Sequence, residues 1–232
     1  NFRIEPETFA ALRRLAPLTA QLARERIGEE LTRMFTGRHP ETALRLLRDS
    51  GLLAILLPEV ARLSGVDQPE YYHPEGDVFE HTCAMLRHMV APSPELAWSV
   101  ILHDIGKPAA LTRDDAGRPH FYNHEHLGEP IAREVLNRMR FSNDRVDRVA
   151  HAVANHMLFG LAAREAKLQR LEHSGDFALE LELNRLDAIS GGKISDQFLF
   201  WLDRRIARAE QAGLPAPFLS GRDLITAGLQ PG

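Results

Sequence analysis

A histidine and an aspartate stand side by side at the end of an apolar run, Leu102-His103-Asp104-Ile105-Gly106-Lys107-Pro108. An imidazole and a carboxylate turned toward a protein interior are costly unless positive charge meets them, and a divalent ion can meet both. A lone pair of this kind is more often a surface histidine beside a solvated acid. Its meaning therefore depends on whether the chain supplies matching ligands elsewhere.

Helical spacing supplies them. His81 shares a face with Val78, Met85 and Met89, and His103 shares one with Leu96 and Val100. His156 follows Val153 by three residues and Val149 by seven, while Asp187 follows Leu183 by four. Four helices thus aim His81, His103 with Asp104, His156, and Asp187 inward. Independent burials would each carry an unrelated cost, so a shared metal site is the simpler reading. Imidazole and carboxylate without thiolate suit Mg, Mn, Ni, Co, Fe or Zn. His124, in the cluster Phe121-Tyr122-Asn123-His124-Glu125-His126, can add a ligand and, with His156, hold a second ion. Two ions sharing Asp104 would clamp the attacking and leaving oxygens of a phosphoryl centre. His120 and His126 are expected in solvent, and His88 is a candidate support for the ligands. Lys107 can touch a phosphate oxygen, hold Asp104 in orientation, or simply meet a helix dipole. Cys83 and Met85 read as packing residues.

The elements that must position these groups are helical. Apolar periodicity predicts helices over Thr8 to Leu15, Leu18 to Phe35, a segment from Pro40 through Leu47 stopped by Gly51, and Leu52 to Leu57. After a connection from Ser64 to Gly76, further helices are predicted over Val78 to Met89, Pro94 to Ile105, His124 to Arg140 and Asn143 to Phe159. Ala163 to Leu171, Asp176 to Ser190 and Ser195 to Ala212 complete the set. Asn123 and Ser142 are placed to cap, and Gly191-Gly192 to stop a helix. No stretch alternates with strand period, which makes the expected fold all-α: a helical neck segment followed by a helical bundle.

Among 232 residues, 44% are hydrophobic and 26% charged, as in ordinary globular chains. The single cysteine, Cys83, excludes an intrachain disulfide. No apolar run reaches membrane-spanning length and no leader is visible, so no membrane contact and a cytoplasmic location are expected. The net charge of -4 hides an excess of nine arginines over six acids in residues 1–48. That segment can face a polyanion, with Arg24 and Arg26 as candidate RNA contacts, or it can be a solvated helix face.

His81, His103-Asp104 and Asp187 resemble the HD signature of metal-dependent phosphohydrolases. The likeness extends along the chain. Tyr72-His73-Pro74-Glu75-Gly76-Asp77-Val78-Phe79-Glu80-His81-Thr82, then Leu102 to Pro108, then Asn123-His124-Glu125, resembles the HD region of bacterial tRNA CCA-adding enzymes and poly(A) polymerases. Arg24 to Leu31 is similar to that family's neck helices, and Ser220 to Gly232 to the opening of its C-terminal RNA-contacting segment. A Gly-Ser motif followed by paired aspartates, the mark of the nucleotidyltransferase head, is not found, and the chain reads as cut from something longer.

The resemblance implies three parts: a neck at 1–62 that touches the tRNA acceptor region or packs against the nucleotidyltransferase head, an HD phosphohydrolase at 63–212, and the start of an RNA-contacting segment at 213–232. It implies hydrolysis of 2′,3′-cyclic phosphates and phosphomonoesters. His81, His103, Asp104 and Asp187 would hold a first ion, with His124 and His156 completing or supplementing the site. Asp104 and Lys107 would serve catalysis. Two alternatives stay open: a non-catalytic RNA-binding helical module, and a freestanding HD enzyme acting on a soluble nucleotide phosphoester.

Overall fold

Proline, serine and glycine signals fall where the helices of the computed structural model begin and end, over the described residues 3–69, 76–157, 175–192 and 196–211. The chain opens with α1 (Pro6–Leu15), a 3₁₀ turn (Ala16–Gln21) and α2 (Arg24–Phe35). Next come α3 (Pro40–Asp49), α4 (Leu52–Leu56) and α5 (Pro58–Ala61). Helices α6 (Val78–His88), α7 (Pro94–Leu102) and α8 (Lys107–Ala110) carry the first site residues. A two-stranded hairpin, β1 (Thr112–Arg113) and β2 (Pro119–His120), precedes α9 (His124–Arg138) and α10 (Asn143–Asn155). Last among the described residues are α11 (Phe177–Ser190) and α12 (Asp196–Gln211). The all-α expectation holds, with the short antiparallel hairpin added to it.

Several boundaries differ from expectation for local reasons. The stretch expected as one helix from Leu18 is instead a 3₁₀ turn followed, after an extended Ala23, by α2. Helix α7 ends at Leu102, so His103 and Asp104 lie in the turn just beyond it. Asn123 adopts a left-handed conformation (φ 57°) and makes no side-chain cap, whereas Ser142 accepts the Arg145 N–H as a cap should. The expected helix from Ala163 to Leu171 and the segment 213–232 lie outside the described residues.

One continuous apolar core runs from α2 to α11, joining Ile27, Leu31 and Phe35 to Trp98, Val135, Val149 and Leu186. Phe35 meets Trp98 edge-on with ring centroids 5.4 Å apart, and the Trp98 indole N–H donates to Thr32 Oγ1 at 2.9 Å. Burying an aromatic ring of this size stabilises by roughly 1.5–3 kcal/mol, and its polar edge is satisfied as well. Arg138 adds a two-pronged pair to Glu59 at 2.8 and 2.7 Å, tying α9 to α5. No helix among the described residues is long and apolar enough to cross a membrane.

Candidate metal centre

Each ligand-type side chain is set in place by a local device. Asp77 caps α6 by accepting the Glu80 N–H at 2.8 Å, and its other oxygen takes the Gly65 N–H at 2.6 Å. That fixes the register of α6, whose second turn carries His81. Ser93 caps α7, which delivers His103 and Asp104 into the following turn. Gly106 lets this turn lie flat against α9. A Cβ there would run into the His124 carbonyl oxygen and stand 2.7 Å from the Gly128 nitrogen, so only glycine permits the approach that brings His124 to Asp104.

The six residues proposed from the sequence as ligands converge. His81, His103, Asp104, His124 and His156 are all buried, and Asp187 is partly exposed at the edge of the group. Neighbouring imidazole centroids are 5.4 Å apart for His81 and His103, 5.4 Å for His103 and His156, and 5.0 Å for His124 and His156. His81, His103 and Asp104 form one set able to hold an ion, and Asp104, His124 and His156 form another. Asp104 belongs to both. Asp187 joins through His81, its Oδ1 lying 3.0 Å from His81 Nε2.

Tautomers decide what these rings offer. His103 Nδ1 lies 2.9 Å from the Val100 carbonyl, His124 Nδ1 2.8 Å from that of Phe121, and His156 Nδ1 2.7 Å from that of Val153. A carbonyl oxygen can only accept, so each Nδ1 carries hydrogen and each neutral ring presents its Nε2 lone pair. At His81 the Ser190 hydroxyl donates to the Asp187 carbonyl at 2.8 Å, which leaves its oxygen to accept from His81 Nδ1 at 3.3 Å. Four Nε2 lone pairs therefore turn toward two carboxylates. Such an arrangement demands a cation. His124 Nε2 and His156 Nε2 are only 3.1 Å apart, a repulsive meeting unless a proton or a metal ion stands between acceptors.

The protonation preferences follow from that demand. Burial, with His103 next to it, pushes His156 down to about 4, so it is neutral at neutral pH. Burial also works against charge on His124, but the hydrogen bond and attraction from Asp104 outweigh it and raise that group. Asp104 would be pushed up by burial, yet His103 and Lys107 hold it well below the usual carboxylate range. Asp187 is likewise held low, because its bond to His81 outweighs burial. The residues fit a divalent ion by another test too. His103 Nε2 is buried, lies 3.0 Å from Asp104 Oδ2, and has no aligned hydrogen-bond partner among the described residues.

Lys107 is buried and has its own fixed surroundings. Its Nζ lies 2.7 Å from Asp104 Oδ2, donates to Gln68 Oε1 at 2.5 Å, and sits 5.4 Å from the Phe121 ring centre. The dipole reading of Lys107 gives way to the orienting one, because the ammonium turns onto Asp104. Gln68 was missed in the sequence, falling in a connection with no periodic signal. His88 is exposed at the end of α6, so it supports no ligand. His126 is exposed as expected, but His120 lines the cavity beside the ligands. That cavity, about 270 Å³, is lined by Asp104, Lys107, His124, His156 and Asp187 together with Pro119, His120 and Phe121. The two candidate RNA contacts lie elsewhere, at the start of α2. Arg26 is exposed, and Arg24 is half-buried with its Nη1 lacking a partner among the described residues.

Comparison with known proteins agrees with this geometry. Residues 1–63 match the family described as "Probable RNA and SrmB- binding site of polymerase A", and residues 78–190 match the HD domain family. The chain is 34% identical over 208 residues to a multifunctional CCA protein of Azoarcus sp. strain BH72, covering 83% of this chain and 49% of that protein. It is 31% identical over 255 residues to an A-adding tRNA nucleotidyltransferase of Deinococcus radiodurans, covering 100% of this chain and 57% of that protein. A multifunctional CCA protein of Alkalilimnicola ehrlichii is 36% identical over 175 residues, covering 74% of this chain and 41% of that protein. The chain thus spans about half the length of the curated relatives it matches.

Proposed function

The chain belongs to the bacterial tRNA nucleotidyltransferase and poly(A) polymerase family, spanning its neck and HD regions, and from that premise we propose that it is a metal-dependent phosphohydrolase module acting on RNA-derived phosphoesters. The observation that carries this reading is the set of four imidazoles whose Nδ1–H groups are spent on oxygens while their Nε2 lone pairs converge on Asp104 and Asp187. Ligand assignment follows the two sets: His81, His103, Asp104 and Asp187 for a first ion, with His124 and His156 joining Asp104 for a second. A divalent ion held there supplies Lewis acidity to a phosphoryl oxygen and makes water acidic enough to act as a nucleophile near neutral pH.

The chain's own residues do the rest. Asp104 is shared between both sets, and Lys107, itself bonded to Gln68 Oε1, holds its carboxylate. Lys107 lines the cavity and places positive charge beside a phosphate bound there, where low dielectric strengthens it. The matched N-terminal segment supports an RNA-positioning role for α1 to α3, with Arg24 and Arg26 as contacts and a tRNA acceptor end as the partner.

The test is hydrolysis of 2′,3′-cyclic AMP and p-nitrophenyl phosphate with added Mg, Mn, Ni, Co, Fe or Zn. The expected result is metal-dependent turnover that falls at least a hundredfold in Asp104→Ala. Absence of turnover with every metal, or undiminished turnover in that variant, refutes the hydrolase reading and leaves the RNA-binding module.

A further inference from the structure

Lys107 carries its charge on a flexible stem, and a residue outside both ligand sets holds it still. Its backbone is fixed first, the Lys107 N–H donating to the Asp104 carbonyl at 2.9 Å. The side chain keeps its own freedom, and the cavity beside it is lined by two carboxylates, Asp104 and Asp187. The ammonium sits 2.7 Å from Asp104 Oδ2, the oxygen that lies 3.0 Å from His103 Nε2. Oδ1 is left to His124 Nε2 at 3.2 Å and His156 Nε2 at 3.8 Å. The lysine thus pins the rotation of the carboxylate so that one oxygen turns to each ligand set. Gln68, from the connection between α5 and α6, meets the same ammonium with Oε1 at 2.5 Å. Gln68 is 9% exposed and Lys107 6%, so water has little access to replace that carbonyl oxygen. A buried ammonium has three N–H groups to satisfy, and one carboxylate does not suffice. Because lysine can only donate, the amide must present its oxygen, and its Nε2 is left buried without a partner among the described residues. Packing alone would favour an apolar side chain here, since an orphaned amide nitrogen is destabilising. A local rule broken in this way is what a functional position shows. The amide is anchored in turn: the Val66 carbonyl accepts the Val78 N–H at 3.1 Å, and the Gly65 N–H donates to Asp77, the cap of the helix that carries His81.

We propose that Gln68 is a positioning residue of the centre: it holds the Lys107 ammonium on Asp104 Oδ2 and thereby fixes the carboxylate that both ligand sets share. This rests on the metal-centre reading of the same residues, so the place of the ammonium is measured apart from the metal. Calorimetric titration of the full chain with Mn²⁺ and with Ni²⁺ compares wild type, Gln68→Leu, Gln68→Glu, Lys107→Met and the Gln68→Leu/Lys107→Met double variant. Gln68→Leu is expected to weaken the ion by about tenfold, the lower end of the roughly 10- to 100-fold lost with groups that orient metal ligands. Gln68→Glu keeps an acceptor in place and should keep most of the affinity. In the Lys107→Met background, Gln68→Leu should change the affinity by less than about twofold, because the group it acts through is gone. Equal losses in both backgrounds, or no loss in either, overturn the proposal. Acetylation of the metal-free full chain, read at Lys107 by mass spectrometry, is the independent measure, and it needs no lysine variant. Lys107 should react severalfold faster in Gln68→Leu than in wild type, and Gln68→Glu should restore the protection. Equal rates in wild type and Gln68→Leu overturn the proposal whatever the metal does. A wild type that binds neither ion yet shows this labelling pattern upholds the positioning of Lys107 and removes the metal-centre reading instead.

Discussion

Replacing Asp104 by asparagine keeps the size of the side chain and removes the charge that both ligand sets share. Two effects follow, and they are separable. Without metal, Lys107 loses an anionic partner at 2.7 Å and His124 loses one at 3.2 Å, both in buried surroundings. Removing one member of a buried pair costs about 3–5 kcal/mol. Here Lys107 keeps the Gln68 carbonyl oxygen and the Phe121 face, which places the loss near about 3 kcal/mol. For a chain of this length that lowers Tm by about 6–12 °C. With metal at about a hundred times its Kd, the wild type gains about 2.7 kcal/mol and rises by about 5–11 °C, because the ion binds the folded state alone. In the asparagine variant neither ligand set retains its shared carboxylate, and the metal-induced rise should vanish. Thermal melts over a metal titration measure both. A wild type that does not respond to Mg, Mn, Ni, Co, Fe or Zn, or a variant that keeps the full rise, would falsify the assignment of Asp104 as the shared ligand.

Three further outcomes are expected. Gly106→Ala drives a Cβ into the backbone of α9, so urea unfolding should show a loss of about 1–3 kcal/mol or more together with a weaker metal response; an unchanged midpoint refutes the close-approach account. His156 is held near 4 in the fold against an ordinary 6.5, so the unfolded chain binds the extra proton between those values, and metal-free stability should fall as pH drops from about 6.5 to about 4, by up to about 3 kcal/mol. His124 works in the opposite sense, its contribution being complete below its ordinary pKa and lost as pH rises through the raised one; a His156→Gln variant with the same acid limb as wild type contradicts the first statement. Arg24→Ala with Arg26→Ala should make the salt dependence of tRNA binding shallower by roughly 1.4–1.8 in the log–log slope, read by filter binding at several salt concentrations. An unchanged slope places the RNA elsewhere.

The ligand residues were legible because helix periodicity is a strong signal at buried positions. His81, His156 and Asp187 stand out as polar residues on apolar stripes, and nothing but packing is needed to infer that they face inward. What escaped was short-range geometry. The 3₁₀ turn at Ala16–Gln21 and the hairpin at Thr112–His120 involve too few residues for any period to emerge. Gln68 and Asp77 act through individual hydrogen bonds, one at Gln68 in a loop and two at the Asp77 helix cap, where spacing carries no information. Gly106 is invisible for another reason: its φ of -81° is open to any residue, and only the approach of α9, eighteen residues later in sequence at His124, makes a side chain impossible. Asn123 shows the converse error. Its residue type favours capping, but asparagine also tolerates the left-handed conformation, and the turn uses that second property.

The segment matched to the RNA-binding family and the candidate metal centre are not independent parts, and this bears on how the two functional readings relate. Arg45 and Arg48 of α3 both grip Glu80 of α6, the residue immediately before His81, and Arg48 also covers the Phe79 ring at 4.5 Å. Thr32 and Phe35 of α2 hold Trp98 of α7, the helix that leads into His103. Each of the two helices delivering the first ligand set is thus packed directly on the segment matched to the RNA-binding family. A displacement of α2 or α3 on binding a polyanion would be passed to His81 and His103 through these half-buried ion pairs and the buried Trp98 and Phe79 rings, since a packed core has little room to absorb it. An RNA-binding module and a phosphohydrolase are therefore readings of one cooperative structure, in which binding at the neck and occupancy of the centre draw on the same folding energy.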